Sequence, residues 1–176
     1  MKNRFVVALM ILGLLAPLVF SGCASQPASE GFAIYLTKDN VPVAQMEALS
    51  HVDLAVTPLI SIDDIVWYLP GTHEIELTPE AYQRINTLQI PTSGISFVVC
   101  VDKEPIYWGA FWTPISSQSF DGIVINIPPF NVSERPENLI KISLGYPASS
   151  FFQGVDPRSN PVIYKSLEQA GKMVSA

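Results

Sequence analysis

A chain of 176 residues with 16 acidic and 10 basic side chains carries a formal net charge of −6, a balance that disfavours nucleic acid and anionic lipid headgroups as partners. Its length fits one domain by the usual range of about 100 to 200 residues. The only cysteines are Cys23 and Cys100, too few for the multi-bridge framework of a disulfide-rich fold.

Met1-Lys2-Asn3-Arg4 sets two positive charges ahead of the uncharged run Phe5 to Phe20, and Ser21-Gly22-Cys23 follows. This is the order of a signal peptide. The run is shorter than the roughly 20 residues a helix needs to cross a bilayer, and Gly13 and Pro17 interrupt it. The small-small-Cys order resembles the lipobox of bacterial lipoproteins, with Phe20 where leucine is usual. That resemblance implies a diacylglyceryl group on the Cys23 sulfur and cleavage just before it. Each buried methylene contributes about 0.8 kcal/mol, so a multiply acylated terminus stays on a membrane where one chain binds reversibly. Removing residues 1–22 takes Lys2 and Arg4 and no acid, which leaves a net charge near −8. Ala24 lacks the acidic character that keeps many lipoproteins on an inner membrane, so the outer membrane is expected where there is one.

Residues 23–31 are small and polar and read as a flexible tether; residues 32–176 read as a single extracytoplasmic domain. Phe32-Ala-Ile-Tyr-Leu36 has strand length and ends in turn residues. Pro42 to Ser50 forms a short helix with Ala44, Met46 and Leu49 inward, and Leu54 to Pro58 is extended. Ser61-Ile-Asp-Asp64 begins a short helix that ends by Leu69, with Ser61 as cap and Asp63 and Asp64 at its positive end. His73 to Leu77 alternates as a half-buried strand does.

Thr78-Pro79-Glu80 starts a helix reaching about Leu88, with Ala81, Ile85 and Leu88 on one face. Ile95 to Val101 is apolar on both faces, as in a central strand. Asp102-Lys103 joins it to Glu104–Trp112 as a hairpin, although a primed turn prefers glycine where Lys103 stands. Residues 122–127 and 139–144 supply two more strands, and residues 128–136 an irregular connection. Asn160 caps a last helix from Pro161 to about Ala170, with Ile163, Leu167 and Ala170 inward and Gly171 as its stop.

These elements predict an α+β fold: a mixed, mostly antiparallel sheet with two or three helices packed on one face.

Chemistry is sparse. Cys100 lies among valines, where a thiol is buried and inert, and with Cys23 acylated it has no disulfide partner. His51 and His73 do not stand at metal-site spacing; zinc would need them joined by Asp53, Glu74 or Glu76. Adjacent Asp63 and Asp64 point different ways on a helix, which favours capping over acid-base work. Ser116, Ser117 and Ser119 lie outside any Gly-x-Ser-x-Gly elbow. Gly145, Gly154 and Gly171 are isolated, so no phosphate loop or dinucleotide fingerprint is present, and no cofactor or metal is expected.

The aromatic group Tyr107, Trp108, Phe111, Trp112 and Phe120 is the remaining candidate binding surface. Alternation sends Trp108 and Trp112 to one face and Tyr107 and Phe111 to the other, and exposed aromatics are enriched at interfaces.

From Ser61 to Ile127 the order of an Asp-Asp turn, a strand into Leu77-Thr78, an acidic helix, "VDKEPIYWGAF" and "SFDGIVI" is similar to the head region of the first extracytoplasmic domain of the SecD protein-export subunit. The resemblance carries no catalytic residue. It implies an α+β sandwich that contacts polypeptide or partner proteins.

The expected function is therefore a lipid-anchored, non-catalytic interaction module for polypeptide or other envelope partners. The rival is a small hydrolase or small-ligand-binding protein using Ser116, Ser117 or Ser119 with His73 or a carboxylate.

Overall fold

The computed structural model describes residues 29–128 and 137–175; Cys23 and most of the tether lie outside them. Seven strands form one sheet in the order β1-β4-β5-β6-β7-β3-β2. They are β1 (Phe32–Leu36), β2 (Ile65–Leu69), β3 (Glu74–Leu77), β4 (Ile95–Val101), β5 (Glu104–Trp112), β6 (Phe120–Asn126) and β7 (Leu139–Tyr146). Among the described residues there are also two α-helices, α1 (Pro79–Asn86) and α2 (Pro161–Gln169), and four short 3-10 turns. Every pairing is antiparallel except β5 with β6, so the fold is the predicted α+β class.

Both helices begin as their sequences dictate. Thr78 accepts from the Ala81 N–H and Asn160 from the Val162 N–H, each followed by proline in the first turn. Ala81 and Ile85 of α1, with Ile163 and Leu167 of α2, join the largest core cluster with Phe32, Ile34, Phe97, Val99, Phe111 and Ile125 of the sheet. The two helices thus cover the same face. Ala170, expected inward, is exposed, because α2 ends at Gln169 and Gly171 takes a φ of +68°.

The opposite face holds two smaller clusters. One joins Ala33, Tyr35, Val98 and Cys100; the other joins Ala110, Trp112, Val124 and Tyr146. Irregular chain covers them, with Met46, Leu49 and Val43 packed against these side chains. The expected helix over Pro42–Ser50 is instead two separate 3-10 turns, Val43–Gln45 and Leu49–His51, and Ala44 is exposed.

A second correction concerns Ser61 to Leu69. The capping box forms, with Asp64 accepting from both the N–H and the hydroxyl of Ser61 at 2.8 Å. Only one 3-10 turn follows before the chain becomes β2. Ile65-Val-Trp-Tyr-Leu69 is β-branched and aromatic, and β3 lies beside it to pair; the available partner outweighs the local helix signal.

Asp102 and Lys103 both adopt positive φ, +53° and +68°, so the hairpin has a type I′ turn without glycine. The same turn clasps the start of β1. Asp102 Oδ1 accepts from the Ser29 hydroxyl at 2.6 Å and the Gly31 N–H at 2.8 Å, and the Asp102 N–H donates to Gly31 O at 3.0 Å. The Ser29 bond, then that of Gly31, holds the Asp102 carboxyl below the usual carboxylate range.

Candidate functional site

β5 places the aromatic group. Tyr107 and Phe111 point to the helix face and are buried, with Phe111 against Phe97 at 5.0 Å between ring centres. Trp112 is buried on the other face, stacked on Phe120 at 5.4 Å and beside Tyr146 at 5.8 Å. Trp108 and Phe120 are only half-buried, 5.9 Å apart. Three of the five candidate aromatics are therefore core and two face outward.

A register shift between β4 and β5 at Val99/Cys100 leaves Ile106 unpaired, opposite no residue of β4, as a β-bulge does. On β6, Gly122 makes room for the Phe120 ring: a Cβ there would lie 2.5 Å from Phe120 Cζ. Gln153 N–H donates to Asp121 O at 3.0 Å and brings residues 152–157 alongside. Between these parts lies an open groove of about 340 Å³, lined by Ile106, Trp108, Phe120, Asp121, Phe152 and Val155 among others. Val155 is 91 % exposed at its wall. This wall was not expected from the sequence, where its one trace is the apolar Phe151-Phe152 and Val155 set in polar chain.

The serines take another course. Ser116 is buried, donates to Thr92 O at 2.5 Å and accepts from the Gln118 N–H at 3.2 Å, while Ser117 and Ser119 are exposed. His73 is buried beside Tyr68, whose hydroxyl lies 2.7 Å from its Nδ1, and His51 is exposed on a 3-10 turn. Among the described residues no hydrogen bond joins these serines to either histidine.

Burial, with Arg158 adding to it, holds the His73 ring below its usual pKa. Arg158 itself pairs with Asp156 at 2.8 Å and donates to Ile142 O at 2.8 Å. Asp64 is used structurally too. Burial would raise its carboxyl, but the Arg84 guanidinium at 2.7 Å and the Ser61 bonds outweigh that and hold it low. Asp63 is exposed.

Cys100 is buried, and burial, helped by Glu30 and Glu104, pushes its thiol up to about 12, so it carries no nucleophilic thiolate at neutral pH. Among the described residues no group of three or more His, Cys, Asp or Glu could hold a metal, and no helix is long and apolar enough to cross a membrane.

No protein-family model matches the chain, and neither a curated protein nor a solved structure matches it.

Proposed function

We propose that this chain is a lipid-anchored extracytoplasmic lipoprotein whose α+β domain is a non-catalytic interaction module, with the groove beside Trp108 and Phe120 receiving an apolar surface of a polypeptide or other envelope partner. The observation that carries the groove is the split within one strand. Tyr107, Phe111 and Trp112 are buried, whereas Trp108 lies half-open against Phe120 and an exposed Val155. Apolar side chains left together at a surface favour association. The Ser21-Gly22-Cys23 motif supports the anchor, and the similarity of residues 61–127 to the SecD head supports contact with polypeptide.

Two experiments test the two halves. Tagged fatty acid is expected to label the wild type and not Cys23→Ser; equal labelling sinks the anchor. A photo-crosslinking side chain at Asp121, on the groove lip, is expected to give adducts in the native envelope that the same side chain at Gln83, on the exposed side of α1, does not. Identical patterns from both positions would remove the groove from the proposal.

A further inference from the structure

The groove and the tether share one end of the sheet. Phe32 of β1 is level with Val101, which is level with Glu104 at the start of β5. β6 runs parallel to β5 with Gly109 opposite Ile123, so Phe120 and Asp121 stand at the level of Ile106 and Tyr107. β7 ends there as well, with Tyr146 opposite Phe120, and the 3-10 turn Ser149–Phe151 follows it. The groove is therefore within about two residues of the tether exit along the strands. Across them, from β1 to β6, it is three strand spacings away, about 14 Å.

The tether limits what this end can meet. Ser29 and Gly31 are pinned to Asp102, and Cys23 lies six residues before Ser29 in the sequence. Six residue steps reach at most about 20 Å. β5 alone, at nine residues, is roughly 30 Å long. A lipid on Cys23 thus keeps the tether end within about 20 Å of the bilayer and leaves too little chain for the domain to invert and stand on the Pro91–Gly94 turn before β4.

We infer that this end of the domain rests on the bilayer surface itself, with Val155 and Phe151 entering the headgroup region beside the groove and Trp108 left at its mouth for the polypeptide partner. This rests on the lipoprotein reading above. Val155 is 91 % and Phe151 44 % exposed, and both lie in the chain that follows β7 at this end. Apolar tips flanked by an amphipathic tryptophan suit the water–lipid boundary. The charge there selects among lipids. Asp102, Glu104 and Asp121 are exposed against Lys103, and Asp156 is neutralised by Arg158. A net negative end favours zwitterionic headgroups and is repelled by anionic ones.

The test uses the lipidated full chain in phosphatidylcholine vesicles that carry a spin label at headgroup depth. A fluorophore is placed at Val155→Cys or, at the other end, at Ser93→Cys, both exposed loop positions; Cys100 is buried and does not compete. Quenching several-fold stronger at 155 than at 93, and weaker when phosphatidylglycerol replaces part of the lipid, is the expected result. Equal quenching at the two positions overturns the inference and leaves the anchor standing. A photo-crosslinker at Val155 that yields protein adducts, to a partner or to a second copy, rather than lipid adducts also overturns it and leaves the interaction module intact. Failure of the wild type to take up fatty acid overturns the anchor and this inference together, and the labelling experiment alone reveals that case.

Discussion

The two faces of the sheet are built from the same strands and closed in different ways. On one face, Phe97, Phe111, Ile125 and Ile142 meet α1 and α2, whose caps fix where each helix starts, and the result is a continuous buried cluster. On the other, Val98, Cys100, Ala110 and Trp112 lie under 3-10 turns and connecting chain, and the apolar side chains fall into two separate groups. A helix presents an unbroken apolar stripe, whereas irregular chain covers a sheet only where a side chain happens to fall. Trp108 and Phe120 occur where that covering stops, so the less completely roofed face supplies the open aromatics of the candidate site, while Ile106 and Phe152 reach it from the helix-side cluster.

Removing one side chain from each face measures the contrast. Phe111→Ala is expected to cost about 3 to 5 kcal/mol in urea unfolding, as a large side chain lost from a sealed core does. Gly109→Ala should come next, at about 1 to 3 kcal/mol, because its Cβ would stand 2.5 Å from Phe97 Cζ and 2.6 Å from the Ile123 backbone oxygen. Trp108→Ala should cost only about 1 kcal/mol, since the ring is already half in water, yet it should weaken groove contacts. A Trp108 loss as large as that of Phe111 would erase the distinction between the faces.

The smallest expected effect is a pH dependence on the sealed side. His73 is held below its usual pKa by burial and then by Arg158, against the opposing pull of Asp156 and with a lesser contribution from Lys141. The folded state thus prefers the neutral ring, which can accept the Tyr68 hydroxyl at Nδ1. Its stability contribution is complete above about pH 6.5 and declines as pH falls through the lower folded value. Urea midpoints should therefore drop toward about pH 5 in the wild type more than in His73→Gln; parallel curves would show that the ring does not sense pH.

Much of the sealed face was legible from local pattern. Thr78-Pro79 and Asn160-Pro161 marked both helix starts, the apolar run Ile95–Val101 marked a buried central strand, and Asp102-Lys103 marked the hairpin. Ser61-Ile-Asp-Asp64 misled because a capping box looks the same ahead of one turn or of several, and the pairing of β2 with β3 decided the matter from outside the segment. Alternation placed Trp108 and Trp112 on the same face. It carried no information that Phe120 would stack on one and leave the other half-open, because that depends on β6 lying parallel to β5. The wall at 152–157 was equally hidden, being set by the Gln153 to Asp121 bond across more than thirty residues of chain.

The Asp102 clasp also bears on mechanical load. Force applied from the N-terminal side enters at the first residues of β1, and β1 is a five-residue strand at the edge of the sheet. Because Ser29 and Gly31 hold to the turn between β4 and β5, that force is divided between the hairpin and β1 before any β1–β4 bond is strained. A pull along the strands then shears those bonds together instead of peeling them one at a time. Removing the two carboxylate bonds with Asp102→Ala, which leaves only the Asp102 N–H to Gly31 O bond of the clasp, would direct more of the force to the end of β1 and lower the force at which the domain gives way, a quantity that single-molecule stretching from the N-terminal side reads directly.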